Sequence, residues 1–73
     1  MITLPLTLKN IPVDAFINCT SLVKVGFGSV ETIGKFAFKG CEKLVVIELP
    51  NTLTELDPMS FYGCNLLEAI NVA

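Results

Sequence analysis

Apolar residues recur along the chain at an interval of 22 or 23 residues, and the recurrence defines seven columns. The columns are Leu8, Val30 and Leu53; Ile11, Ile33 and Leu56; Phe16, Phe38 and Phe61; Cys19, Cys41 and Cys64; Leu22, Leu44 and Leu67; Val25, Ile47 and Ile70; and Phe27, Leu49 and Val72. All 21 positions are apolar although only 52% of the chain is, an agreement that random placement would give about once in a million trials. The single length difference falls between columns, where Gly28-Ser29 stands opposite the longer Pro50-Asn51-Thr52 and Pro5-Leu6-Thr7. An indel confined to a turn is what stacked circuits tolerate.

Within one period the pattern changes character. Leu22–Phe27, Leu44–Leu49 and Leu67–Val72 each end in apolar-x-apolar alternation rich in Val and Ile, which predicts a half-buried strand. Gly28 or Pro50 then turns the chain. A second short extended piece follows over Val30–Ile33 and Leu53–Leu56. The stretch around Ala37-Phe38 predicts a tight helical or 3₁₀ turn, closed by Gly40 or Gly63 just before the cysteine. Neighbouring circuits are expected to stack through parallel strand pairing about 4.7–4.9 Å apart, so that each column becomes a ladder of like residues. A single circuit cannot bury its apolar face, and stability must come from the interfaces between circuits.

Composition narrows the function classes. At 73 residues the chain has room for one small domain. With five Lys, no Arg and a net charge of −2, it lacks the clustered cations of a nucleic-acid groove. No apolar run approaches the length of a membrane span. The N-terminus lacks a basic region followed by a continuous apolar run, because Pro5, Thr7, Lys9 and Asn10 interrupt it. No secretion signal is therefore recognisable, and export as a piece of a longer protein stays open.

The segment Val30-Glu31-Thr32-Ile33-Gly34-Lys35-Phe36-Ala37-Phe38-Lys39-Gly40-Cys41-Glu42-Lys43-Leu44-Val45-Val46-Ile47-Glu48-Leu49-Pro50 resembles the BspA-type leucine-rich repeat. The resemblance covers essentially the whole chain, with Ser60 in place of Ala, Gly28 in place of Pro, and Asn18 in place of Gly as its departures. It implies a β-rich, right-handed solenoid of the α/β leucine-rich-repeat class. About three stacked repeats with short parallel strands are expected, in registers of roughly 5–27, 28–49 and 50–72 within one segment, residues 1–73. Neither end of that segment looks like a polar cap, so a longer array is expected, as is self-association through the uncapped ends. The resemblance also implies a protein-binding module of cell-surface or secreted proteins, active in adhesion or in recognition of a host or partner. An intracellular scaffold, cytoplasmic for want of a signal, and a repeat segment of a larger enzyme are the alternatives.

Candidate chemistry adds little. Cysteines 22 and 23 residues apart, with no His in the chain, do not match the paired spacing of a zinc site, and a catalytic thiol would lack an activating base. Free buried thiols are expected, with a disulfide between adjacent circuits as the alternative. No cofactor and no catalytic residue is expected. Asp14, Glu31, Glu42, Glu48, Glu55, Asp57 and Glu68 form no evident acid–base pair and read as a solvated face. Phe36 and Tyr62 lie outside the columns; Tyr62 reads either as a surface anchor or as cover for the bend. Strand alternation turns Thr3, Lys24, Gly26, Val46, Glu48, Ala69 and Asn71 outward, with Val23, Val45 and Glu68 at the strand starts. This outward set is the candidate partner-binding face. Val45 and Val46 are adjacent and cannot both point inward, which suggests either an apolar contact patch or merely good strand formers.

Overall fold

In a computed structural model, which describes residues 1–72, the chain consists of short parallel strands joined by turns, with no helix among the described residues. The strands are β1 (Ile2–Thr3), β2 (Asn10–Ile11), β3 (Val25–Gly26), β4 (Thr32–Ile33), β5 (Val46–Leu49), β6 (Glu55–Leu56) and β7 (Ala69–Val72). Ala73, the last residue of the predicted segment, lies outside the described residues.

The pairing follows the sequence columns. β2, β4 and β6 form one parallel sheet in which Ile11 pairs with Ile33 and Ile33 with Leu56. On another side β1 pairs with β3, Ile2 opposite Val25, and β5 pairs with β7, Ile47 opposite Ile70 and Leu49 opposite Val72. Three threonines reinforce the stacking. The Thr52 hydroxyl donates to the Val30 carbonyl at 2.9 Å and that of Thr54 to the Glu31 carbonyl at 3.1 Å, while Thr32 donates to the Asn10 side chain at 2.6 Å.

The remaining side, around each Phe-x-x-Cys, keeps the i→i−3 bonds of the expected helical or 3₁₀ turn but forms no continuous helix. Its N–H groups alternate between two kinds of acceptor. Ala37, Lys39 and Cys41 donate to the carbonyls of Gly34, Phe36 and Phe38, three residues back. Phe38 and Gly40 instead donate across to Ser60 and Tyr62, at 2.8 and 2.9 Å. One level down, Asp14, Phe16 and Asn18 donate to Lys35, Ala37 and Lys39 at 3.1, 2.7 and 2.6 Å. A helix would use every N–H within its own segment; here every second one is spent on the neighbouring level. The alternation bends the backbone into the left-handed region just before each cysteine, at Asn18 (φ 58°), Gly40 (φ 73°) and Gly63 (φ 75°), residue types that tolerate it.

The core is the stack of columns. Phe38 is fully buried, with Phe16 and Phe61 on its two faces, ring centroids 5.1 Å away in each case and planes within 11° and 6° of parallel. Phe27 meets its edge at 5.7 Å. Val30, Ile33, Ala37, Cys41, Leu44, Ile47 and Leu49 are buried around it. Cysteines also tie levels together, since the Cys41 thiol donates to the Phe16 carbonyl at 3.3 Å and the Cys64 thiol to the Phe38 carbonyl at 3.1 Å. All three cysteines are free thiols, and those of Cys41 and Cys64 donate to backbone carbonyls rather than to sulfur.

One feature agrees with the expected uncapped ends and another departs from the sequence expectation. On the Cys64 level, the last that the structure describes, Leu56, Ile70 (48% exposed) and Val72 (74% exposed) belong to the inward pattern yet face solvent. The strand ladder, by contrast, is interrupted, since β3 and β5 do not pair. The break coincides with the shorter turn. Cys19 and Cys41 are 22 residues apart, whereas Ile2 lies 23 from its partner Val25 and Val46 lies 23 from Ala69. The circuit that lacks a turn residue leaves a two-residue β3 beside a four-residue β5.

Candidate functional site

The unpaired junction of β3 and β5 opens a groove of about 580 Å³ on the strand face. Val23, Lys24 and Gly26 line it from one side and Val45, Val46 and Glu48 from the other, with Met1 at its end. Six of the ten residues of the predicted binding face therefore line one concavity, and Thr3 on β1 is among the four that do not. Glu68, Ala69 and Asn71 do not line it; they sit on or next to β7, beyond β5. Val23, Lys24, Val46, Glu48, Glu68 and Asn71 are exposed, as is Thr3, while Gly26, Val45 and Ala69 are half-buried. Of the adjacent valines, Val46 alternates outward at 41% exposure, and Val45 precedes the strand, its carbonyl accepting from the Glu68 N–H at 2.7 Å.

Gly26 determines the shape of the groove. A Cβ built there would stand 3.5 Å from Cε of Met1 and 3.6 Å from Cγ2 of Thr3, ordinary contact distances. The fold therefore accommodates a side chain at this position, and its absence keeps the groove open. Glycine within a strand commonly marks a close approach of another backbone or ligand. Lys24 and Glu48 place opposite charges on the two walls, and Val23 and Val46 add exposed apolar surface.

A second depression, about 620 Å³, runs along β2, β4 and β6 between Asn10 and Asp57. The Asp57 carboxylate there accepts the Met59 N–H at 2.8 Å, a local turn spanning Pro58. Asp57 thus has a structural duty that its reading as one of several solvated carboxylates missed, although Asp-Pro is a turn signal.

Thiol chemistry is suppressed. Burial pushes the Cys41 thiol from 9.0 up to about 11, and burial likewise raises Cys64. A nucleophilic cysteine needs the opposite shift. Among the described residues no group of three or more His, Cys, Asp or Glu side chains is placed to hold a metal ion, and no helix is long and apolar enough to cross a membrane.

Stacked parallel strands on a period of 22–23 residues, with apolar ladders inside and a concave strand face, define a leucine-rich-repeat protein. The model of the BspA type leucine rich repeat region (6 copies) matches residues 1–73, and the chain belongs to that family. No curated protein and no solved structure matches it.

Proposed function

We propose that the chain is a non-catalytic protein-binding module whose recognition surface is the groove between β3 and β5, and that it serves adhesion or partner recognition at a cell surface. The reading takes the repeats as a right-handed coil, the hand that parallel strand connections adopt almost without exception, in registers of about 5–27, 28–49 and 50–72. Family membership supports the binding role, because leucine-rich repeats are typically interaction scaffolds. The observation that carries the site is the convergence of Val23, Lys24, Gly26, Val45, Val46 and Glu48 on one groove floored by a strand glycine. Apolar walls with opposite charges on the two sides suit an extended peptide segment of a partner, whose alternate side chains would occupy the groove. Burial raises the Cys41 and Cys64 thiols, the opposite of what a nucleophile needs.

Selection of a displayed random-peptide library against the folded chain tests this. Enriched peptides should shift the amide resonances of Lys24, Gly26, Val46 and Glu48. Gly26→Leu, whose Cβ meets only ordinary contacts, should abolish binding while preserving the melting temperature. Peptides that bind Gly26→Leu as well as the parent would refute the assignment.

A further inference from the structure

The bend side of the Cys41 level carries a conformation that local energetics disfavour. Phe36 has φ of 59°, and a bulky residue in the left-handed region is a strained outlier. The same position one level down holds Asp14 at φ 62°, a residue type whose short polar side chain tolerates that region. Backbone bonds between levels impose the geometry. The Lys35 carbonyl accepts from Asp14, the Lys39 carbonyl from Asn18, and the Tyr62 carbonyl from Gly40. Residues on both sides of Phe36 are therefore held between levels, and its own carbonyl accepts from the Lys39 N–H at 3.1 Å.

Its ring anchors a cluster distinct from the groove. Tyr62, 56% exposed, tilts against Phe36 with centroids 6.1 Å apart. The Lys39 ammonium stands 4.8 Å from the Phe36 centroid and 5.9 Å from that of Tyr62, and the Lys35 ammonium 5.0 Å from Phe36. An ammonium carries three donors, and a ring face engages it without using a carboxylate, so both cations keep donors for an incoming anion. Aromatic side chains beside cations are the composition of binding hot spots. Because the backbone is clamped between levels, little ordering remains to be done on binding.

We infer that Lys35, Phe36, Lys39 and Tyr62 form a second recognition surface, for an acidic peptide segment of a partner protein. It rests on the protein-binding reading but not on the groove. Carboxylates of the segment bind the two ammonium groups, and its apolar or aromatic side chains lie on the Phe36 and Tyr62 rings. Charge favours this occupant over a uniformly anionic polymer or membrane. Two clustered cations match a short acidic stretch, whereas a chain with seven carboxylates and five lysines is repelled as a whole by an extended anionic surface.

The probe is a synthetic peptide of alternating Glu and Tyr, with an analogue carrying Gln at every Glu, titrated into the full chain by NMR and fluorescence anisotropy. The acidic peptide should bind with shifts confined to the Lys35–Gly40 and Tyr62 resonances, and the Gln analogue at least about tenfold more weakly. The double variant Lys35→Gln, Lys39→Gln should lose about tenfold or more in affinity. Phe36→Asn, which suits the left-handed backbone, should lose binding without lowering the melting temperature. Gly26→Leu should bind normally, which separates this surface from the groove. Equal affinity for the two peptides, unchanged binding by the lysine double variant, or loss of binding in Gly26→Leu would overturn the proposal. So would tighter binding of phosphatidylserine vesicles or heparin fragments than of the acidic peptide at the same resonances.

Discussion

Truncation of Phe38 probes the interior most severely. The ring is fully buried, stacked on both faces at 5.1 Å and met at its edge by Phe27 at 5.7 Å. Phe→Ala at such a site costs about 3–5 kcal/mol, the loss of transfer free energy adding to the cavity left behind. A domain of this size has roughly 3–5 kcal/mol of total stability, so Phe38→Ala should be largely unfolded at 25 °C. Phe61 is only half-buried and stacks on one face. Its truncation removes less buried area and leaves a surface notch that water fills, so Phe61→Ala should remain folded at about half the cost, ~2 kcal/mol. Phe38→Leu keeps most of the volume, should cost about 1–1.5 kcal/mol, and should lower the melting temperature by roughly 4–12 °C. Urea denaturation followed by circular dichroism measures all three. Equal destabilisation by Phe38→Ala and Phe61→Ala would refute the reasoning, because it would mean that the middle ring is no more enclosed than the outer one.

Further outcomes follow from single contacts. Gly34→Ala should destabilise by about 1–3 kcal/mol, because its Cβ would stand 2.8 Å from the Val13 nitrogen and 3.0 Å from the Pro12 carbonyl carbon; a thermal melt unchanged from the parent would contradict it. Thr52→Val should cost about 1 kcal/mol by removing the bond to the Val30 carbonyl, read by the same melt. Cys41 holds its proton more tightly folded, at about 11, than at its ordinary 9.0. The folded state therefore keeps its full stability below pH 9 and loses stability as pH rises from 9 to 11, and Cys41 should resist iodoacetamide at pH 8 far longer than the half-buried Cys19. Exposed Ile70 and Val72 should make the isolated chain self-associate, and light scattering should show the double variant Ile70→Lys, Val72→Lys to be less associated.

The columns were legible because burial forces the same residue type into the same place at each level. Phe16, Phe38 and Phe61 stack as their spacing implies, and Ile11, Ile33 and Leu56 pair in register. Alternation likewise separated Val46 and Glu48 from Ile47 and Leu49. The bend was legible only as a tight turn closed by Gly40 or Gly63. Its alternation of local and cross-level hydrogen bonds uses backbone groups alone, and the side chains of Lys35 to Gly40 carry no period that distinguishes it from a helical turn. The broken ladder between β3 and β5 left a trace in the shortened Gly28-Ser29 turn, but the consequence of one missing residue depends on how two strands settle together. Exposure of Ile70 and Val72 agrees with the uncapped ends expected from the repeat. The strain at Phe36 was hidden for a related reason: its neighbours Lys35, Phe38 and Gly40 are bonded to the levels on either side, which the local sequence does not encode.

The most direct test of the stacked interior is a nuclear Overhauser experiment on the chain with its phenylalanine rings isotopically labelled. Strong cross-peaks are expected between Phe16 and Phe38 and between Phe38 and Phe61, with none joining Phe16 to Phe61, which the middle ring separates. Absence of both contacts to Phe38, or a direct contact between the outer rings, would contradict it.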